Sequence, residues 1–133
     1  MTEKLELYRC NVCHNLVEVL HAGEGELVCC GQPMELIPTN LSEDESLNDK
    51  HIPIIEKTID GVKIRVGATK HPMSDDHHID FIQAISNDKK YVKTKFLDTE
   101  EEPELKIKCN CSSSLWVRAL CNIHGLFKGD FNV

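Results

Sequence analysis

Cys121-Asn122-Ile123-His124-Gly125 sets a thiolate and an imidazole three positions apart, where one metal ion could hold both. His51, His71 and His77 supply further nitrogen donors upstream, and His78 stands beside the last of them. A separate thiolate group, Cys10-x-x-Cys13 and the adjacent Cys29-Cys30, lies near the start of the chain. Two metal sites are therefore expected. Four thiolates suit iron or zinc in a tetrahedral all-sulfur site, whereas the mixed nitrogen and sulfur set suits several transition metals. A blue-copper arrangement also pairs an upstream His with a C-terminal Cys and a following His, but adds an axial Met. No methionine follows His124, and that absence, the surplus of histidines and the separate thiolate group argue against copper.

The thiolate group needs a small scaffold. Tyr8-Arg9-Cys10 reads as a strand entering a Cys-x-x-Cys turn, which points two sulfurs at one centre. Val17-Glu18-Val19-Leu20 alternates as a short strand, Gly23 and Gly25 mark a turn, and Leu27-Val28 leads into Cys29-Cys30-Gly31. A module of this size has too little core to fold without a crosslink, so the metal would serve as one. The 15 residues between Cys13 and Cys29 fit such a module, while the adjacent Cys29-Cys30 pair departs from the two knuckles of an ordinary zinc ribbon. With four sulfurs filling the site, His14 and His21 are expected to be surface residues.

Two prolines, Pro33 and Pro38, and the acidic run Glu43-Asp44-Glu45 mark a linker, dividing the chain into residues 1–37 and 38–133. Beyond it, apolar residues alternate in short runs: 54–59, 62–66, 81–85, 90–96, 105–108 and 115–120. Asp60-Gly61 and Ser86-Asn87-Asp88-Lys89 are the expected hairpin turns. The fold class is mainly β, a small metal module followed by a β-sandwich. The histidines fall between these strands, in the loops where a rigid scaffold usually carries its sites.

At 41% hydrophobic and 28% charged residues the chain reads as globular and soluble. No apolar run approaches the roughly 20 residues needed to cross a bilayer, which excludes a membrane-spanning helix. The charged start, Met1-Thr2-Glu3-Lys4, lacks a signal-peptide core and predicts a cytoplasmic protein, in which seven cysteines are metal ligands or free thiols. A net charge of −7 argues against a general nucleic-acid surface. The acidic clusters at 43–45 and 98–104 are expected to be solvated loops.

Taken in order, these motifs resemble the desulfoferrodoxin family, two-iron superoxide reductases with an N-terminal rubredoxin/desulforedoxin-like module and an immunoglobulin-like β-sandwich. Tyr8-Arg9-Cys10-Asn11-Val12-Cys13 and Cys29-Cys30-Gly31-Gln32-Pro33-Met34 resemble the family's Fe(Cys)4 motif. Lys50-His51-Ile52-Pro53, His71-Pro72-Met73 through His77, and Cys121-Asn122-Ile123-His124-Gly125-Leu126 resemble its second-site segments. The resemblance implies two iron ions, with zinc as a substitute in the four-cysteine site. It implies that His51, His71, His77 and His124 are equatorial ligands of the second iron and Cys121 its axial ligand, opposite an open position. Spacing alone does not separate His77 from His78; the resemblance selects His77. The chain departs from the family at His14, where glycine usually follows the second cysteine, and at Asp49, where the family carries the glutamate that can close on oxidised iron. Cys109 and Cys111 match no family ligand and read as free thiols.

The activity implied is one-electron reduction of superoxide to hydrogen peroxide, with Lys50 steering the anion and Asp49 in the place of the family carboxylate. The implied partners are rubredoxin or a similar small electron donor and a second copy of the chain as a homodimer. Two other classes fit the residues: an electron-transfer protein working through the four-cysteine iron alone, and a zinc-stabilised binding module.

Overall fold

The computed structural model describes residues 1–39, 50–67, 71–108 and 115–131. It divides into two compact units, Met1–Pro38 and Thr39–Val133. The N-terminal unit holds β1 (Leu7–Arg9), β2 (Leu16–Glu18), β3 (Val28–Cys29), β4 (Gln32–Pro33) and β5 (Glu35–Leu36). β1 is the centre of a three-stranded antiparallel sheet in the order β2-β1-β5, and β3 pairs with β4. Its core is small: Leu5, Leu7, Cys10 and Val19 are its buried apolar residues. A unit with so little buried apolar surface depends on a crosslink.

Two tight turns shape that unit. His14 adopts φ +66°, the left-handed region, which explains why glycine suits the position and shows that the histidine keeps the turn. Cys30 (φ +53°) and Gly31 (φ +74°) form a second left-handed pair, which folds the chain back so that Cys29 and Cys30 both face the Cys10–Cys13 turn.

The C-terminal unit holds β6 (Pro53–Lys57), β7 (Gly61–Val66), β8 (Ile79–Ser86), β9 (Val92–Phe96), β10 (Glu104–Lys108), β11 (Leu115–Cys121) and β12 (Gly125–Phe131). Two antiparallel sheets, β10-β7-β6 and β12-β11-β8-β9, face each other as a sandwich. The period of two places Val62, Ile64 and Val66 inward, while Lys63 and Arg65 point out to pair with Glu104 at 3.3 Å and Glu56 at 3.2 Å. Ile64, Val66 and Leu105 of one sheet meet Ile82, Ala84, Val117, Ala119 and Cys121 of the other in a single core. β8 is central in its sheet and buried on both faces, so it reads as a nearly continuous apolar run. Its one buried polar residue, Gln83, accepts from Arg118 Nε at 2.5 Å and donates to Thr94 at 3.0 Å.

The first hairpin turn lies one residue earlier than the Asp60-Gly61 signal predicts. Lys57 pairs with Val62, and Thr58 N–H donates to Gly61 O at 2.9 Å, so Ile59 and Asp60 form the tip and Ile59 is fully exposed. The second turn keeps four residues but lies one position later than predicted, at 87–90, since Ile85 pairs with Val92 and Ser86 N–H donates to Tyr91 O at 3.0 Å. Asp88 accepts from the Ser86 hydroxyl at 2.6 Å and the Lys90 amide at 3.1 Å, which hold its carboxyl below the usual range.

Candidate metal centres

In the N-terminal unit Cys10, Cys13, Cys29 and Cys30 present sulfurs that all lie within 4.8 Å of one another. Cys13 and Cys29 are 3.5 Å apart, and Cys29 and Cys30 4.0 Å. Cys10 is buried, and its sulfur accepts the amides of Cys13 and Val12, both at 3.4 Å. These donors hold its thiol down to about 6, so it ionises at neutral pH. Hydrogen bonding among the neighbouring sulfurs, from Cys13 first, pushes Cys30 up to about 12 and raises Cys29 as well. Four sulfurs this close cannot all ionise without a cation between them, which is the behaviour of a metal-thiolate site. His14 and His21 are exposed and stand outside the group.

The second cluster forms at one end of the sandwich. Pro53 at the start of β6 pairs with Val66 at the end of β7, and Cys121 at the end of β11 pairs with both Ile79 and Gly125. The segments entering β6, β8 and β12 therefore gather at a common edge, carrying His51, His71, His77 and His124 to Cys121. Adjacent ring centroids are 4.5 Å apart for His51 and His71, 4.6 Å for His71 and His77, 5.0 Å for His77 and His124, and 4.7 Å for His124 and His51. His51 and His77 lie across from each other at 6.2 Å. The four imidazoles thus form a closed ring, each steeply inclined to its neighbours.

Their nitrogens point inward. His51 Nε2 lies 3.0 Å from His71 Nε2 and 3.1 Å from His124 Nδ1. Pro72 O takes the Nδ1–H of His71 at 2.6 Å, which fixes the tautomer and leaves Nε2 as a lone pair facing the centre. His77 Nε2 is buried and has no hydrogen-bond partner. The Cys121 sulfur is 3.7 Å from His124 Nδ1 and receives the His124 amide at 3.5 Å. Burial pushes the Cys121 thiol up, while the His124 and Ile123 amides pull it down. Converging lone pairs, an orphaned buried nitrogen and a buried sulfur fit a metal ion.

Several neighbours build the site without donating to it. Phe127 is fully buried and stacks on His51 with centroids 4.6 Å apart. Asn122 bonds across to the His77 loop. Gly129 lies against the backbone of Pro53, two residues from His51. Phe127 and Gly129 do not stand out in the sequence, and Asn122 belongs to the Cys121–Leu126 segment without a role assigned to it there; its place directly after the cysteine is the available signal, because its side chain both donates and accepts. His78 turns aside, with Nδ1 3.0 Å from Ser74 O and Nε2 2.8 Å from Asp80. Lys50 is exposed, and its charge helps to lower His77, after burial and His124. Asp49, Cys109 and Cys111 lie outside the described residues.

A pH effect follows for the metal-free protein. Burial drives His71 from its ordinary 6.5 down to about 4, so between these values the unfolded chain binds the proton and the folded chain does not. Stability is full above pH 6.5 and falls as the pH drops toward 4, by about 3 kcal/mol from this group. Urea unfolding of metal-free protein at about pH 7 and about pH 4.5 measures the slope, and His71→Leu should flatten it.

The family model described as Desulfoferrodoxin, N-terminal domain, matches residues 2–37, and the one described as Desulfoferrodoxin matches residues 43–130. A desulfoferrodoxin of Syntrophotalea carbinolica is 45% identical over 130 residues, covering 98% of this chain and 99% of that protein. Among solved structures, a superoxide reductase from Treponema pallidum shares the fold with a TM-score of 0.73 at 21% identity, covering 97% of this chain and 99% of that one. A superoxide reductase from Nanoarchaeum equitans aligns with a TM-score of 0.54 at 26% identity, over 73% of this chain and 99% of the other. Matched by family models in both compact units and by a relative along nearly its whole length, the chain belongs to the desulfoferrodoxin family.

Proposed function

We propose that this protein is a superoxide reductase, in which superoxide, one electron and two protons give hydrogen peroxide. The observation that carries the reading is the closed ring of four inward-facing imidazoles beside a buried cysteine sulfur at the sandwich edge. His51, His71 and His77 through Nε2, His124 through Nδ1 and Cys121 through sulfur are the iron ligands of this site. When bound, ferrous iron supplies the electron and a Lewis-acidic position for the anion. Four neutral imidazoles would leave most of the metal charge uncompensated, and the Cys121 thiolate would offer electron density from its soft sulfur. The amides of Ile123 and His124 moderate that donation by bonding to the same sulfur.

Lys50 carries a positive charge beside His77 and draws the small anion inward on a protein that is acidic as a whole. Water delivers the protons, with the Lys50 ammonium orienting the reduced oxygen species by hydrogen bonding. Asp49 is assigned the place of the family carboxylate on the resemblance alone. The division at residues 37 and 38 is supported by the compact units that meet at Pro38 and by the family model ending at residue 37. Cys10, Cys13, Cys29 and Cys30 hold the other iron, in a module that accepts electrons from a small donor of rubredoxin type. Exposure of Cys13 and Cys30 supports short-range electron entry there. Assembly as a homodimer would bury apolar residues that this unit leaves exposed, among them Val12, Leu20 and Val28. That none of the described cysteines is joined in a disulfide supports a cytoplasmic setting, and no helix among the described residues is long and apolar enough to cross a membrane.

Mixing the anaerobically reduced protein with a pulse of superoxide tests the reading. One peroxide per oxidised second centre, without oxygen release, is the expected result; inertness toward superoxide would leave an electron carrier in its place. In Lys50→Ala the second-order rate should fall by roughly tenfold at low ionic strength, and the deficit should shrink with added salt. An unchanged rate removes Lys50 from the reaction.

A further inference from the structure

Asn122 directs three hydrogen bonds to a segment far upstream in the chain. Its side-chain Nδ2–H donates to Asp76 O at 3.0 Å, and its Oδ1 accepts the His78 amide at 2.8 Å. Its own backbone amide donates to His78 O at 3.1 Å. Asp76 O belongs to the peptide that precedes His77, and the His78 amide to the peptide that follows it. One carboxamide therefore grips both peptide planes that set the direction of the His77 side chain. On the far side of the loop, Ser74 N–H donates to His77 O at 3.0 Å and the Ser74 hydroxyl accepts the His77 amide at 3.3 Å. The loop is held from two sides, and Asn122 is the side chain that ties it to the strand carrying Cys121.

Local backbone geometry explains why a side chain is needed. The β8–β11 ladder shifts register between Leu120 and Cys121, so the regular pairing ends at Cys121 and Ile79. Asn122 continues the connection past that irregularity with a donor and an acceptor on one short arm. Aspartate would keep the acceptor and lose the donor, and serine or alanine would reach neither group. The His77 ring has no hydrogen bond at Nε2 to hold it, so its aim depends on the backbone that carries it.

We propose that Asn122 is a positioning residue of the second metal centre, locking His77 to the Cys121 strand so that imidazole and thiolate present a preset geometry to the ion. This rests on the reading of His77 as a ligand. Loss of the clamp lets the His77 loop relax away, and the ion is then held by a weakened donor set.

The test uses the full chain loaded with iron, and reads the rate at which a ferrous chelator empties the second centre together with the position of its sulfur-to-iron absorption band. In Asn122→Ala release should be roughly 10- to 100-fold faster, the range for loss of a partner that orients a ligand, and the band should shift. In the double variant with His77→Ala, release should be no faster than in His77→Ala alone, because Asn122 acts through His77. Wild-type release and an unmoved band in Asn122→Ala would overturn the proposal, as would effects that multiply in the double variant. If Asn122→Ala does not fold, the isosteric Asn122→Asp carries the test. Its release should also be faster than wild type because the bond to Asp76 O is lost, and a wild-type rate there overturns the proposal. His77→Ala alone separates the two readings: unchanged release in that variant would remove His77 from the ligand set and the proposal with it.

Discussion

Cys121→Ser is expected to abolish superoxide reduction while leaving the four-cysteine chromophore of the N-terminal unit intact. The substitution exchanges a polarisable sulfur for an alcohol that stays protonated at neutral pH, so the second centre loses its thiolate donor. The amides of His124 and Ile123, which now bond to sulfur, would face a neutral oxygen and could no longer tune a thiolate. The loss should exceed the roughly 100-fold that follows removal of an outer partner, because a direct ligand is removed. Stopped-flow mixing with superoxide measures it, and absorption of the four-cysteine site serves as the internal control. Cys121 is buried in the sandwich core, so a thermal or urea scan must accompany the kinetics to separate a hydroxyl's burial cost, about 1–3 kcal/mol, from the chemical effect. Turnover equal to wild type would refute the assignment of this cysteine as a ligand.

Gly129→Ala should produce the second large effect, although the residue touches no donor atom. A Cβ at Gly129 would collide with the carbonyl oxygen of Pro53, a backbone atom that cannot rotate away as a side chain could. Relief requires β12 and β6 to part, and His51 sits just ahead of β6. Forced overpacking of this kind costs about 1–3 kcal/mol, and here it should also displace His51 from Phe127 and from the other imidazoles. The expected outcome is a lower urea midpoint for the C-terminal unit and poor iron retention at the second centre, with the four-cysteine site unaffected. Equal midpoints and full iron retention at both centres would show that the strands absorb the methyl group.

Much of this architecture is legible along the chain because it is written in local patterns. β7 alternates in the period of two that a half-buried strand requires, and the Cys-x-x-Cys turn announces its own geometry. The first hairpin tip falls one residue away from its predicted place because Asp60-Gly61 is a strong turn signal, yet cross-strand pairing of Lys57 with Val62 decides the register. β8 has no inward face that its sequence could announce, since it packs on both. The His14 turn is a case where the residue type counsels against a conformation that the surrounding fold imposes.

The same division runs through the metal centres. Side-chain identity and motif order determined the chemistry, because the motifs pick out five of the seven cysteines and four of the seven histidines without knowing where they lie in space. Tertiary structure alone decided which nitrogen of His71 is left bare by Pro72, how His78 is turned aside onto Asp80 while His77 faces the ring, and that the Asn122 side chain joins the His77 loop to the Cys121 strand where the ladder stops. Those choices depend on strand ends that meet from opposite parts of the chain, and no local pattern encodes a direction that is set only when β6, β8, β11 and β12 converge at one edge.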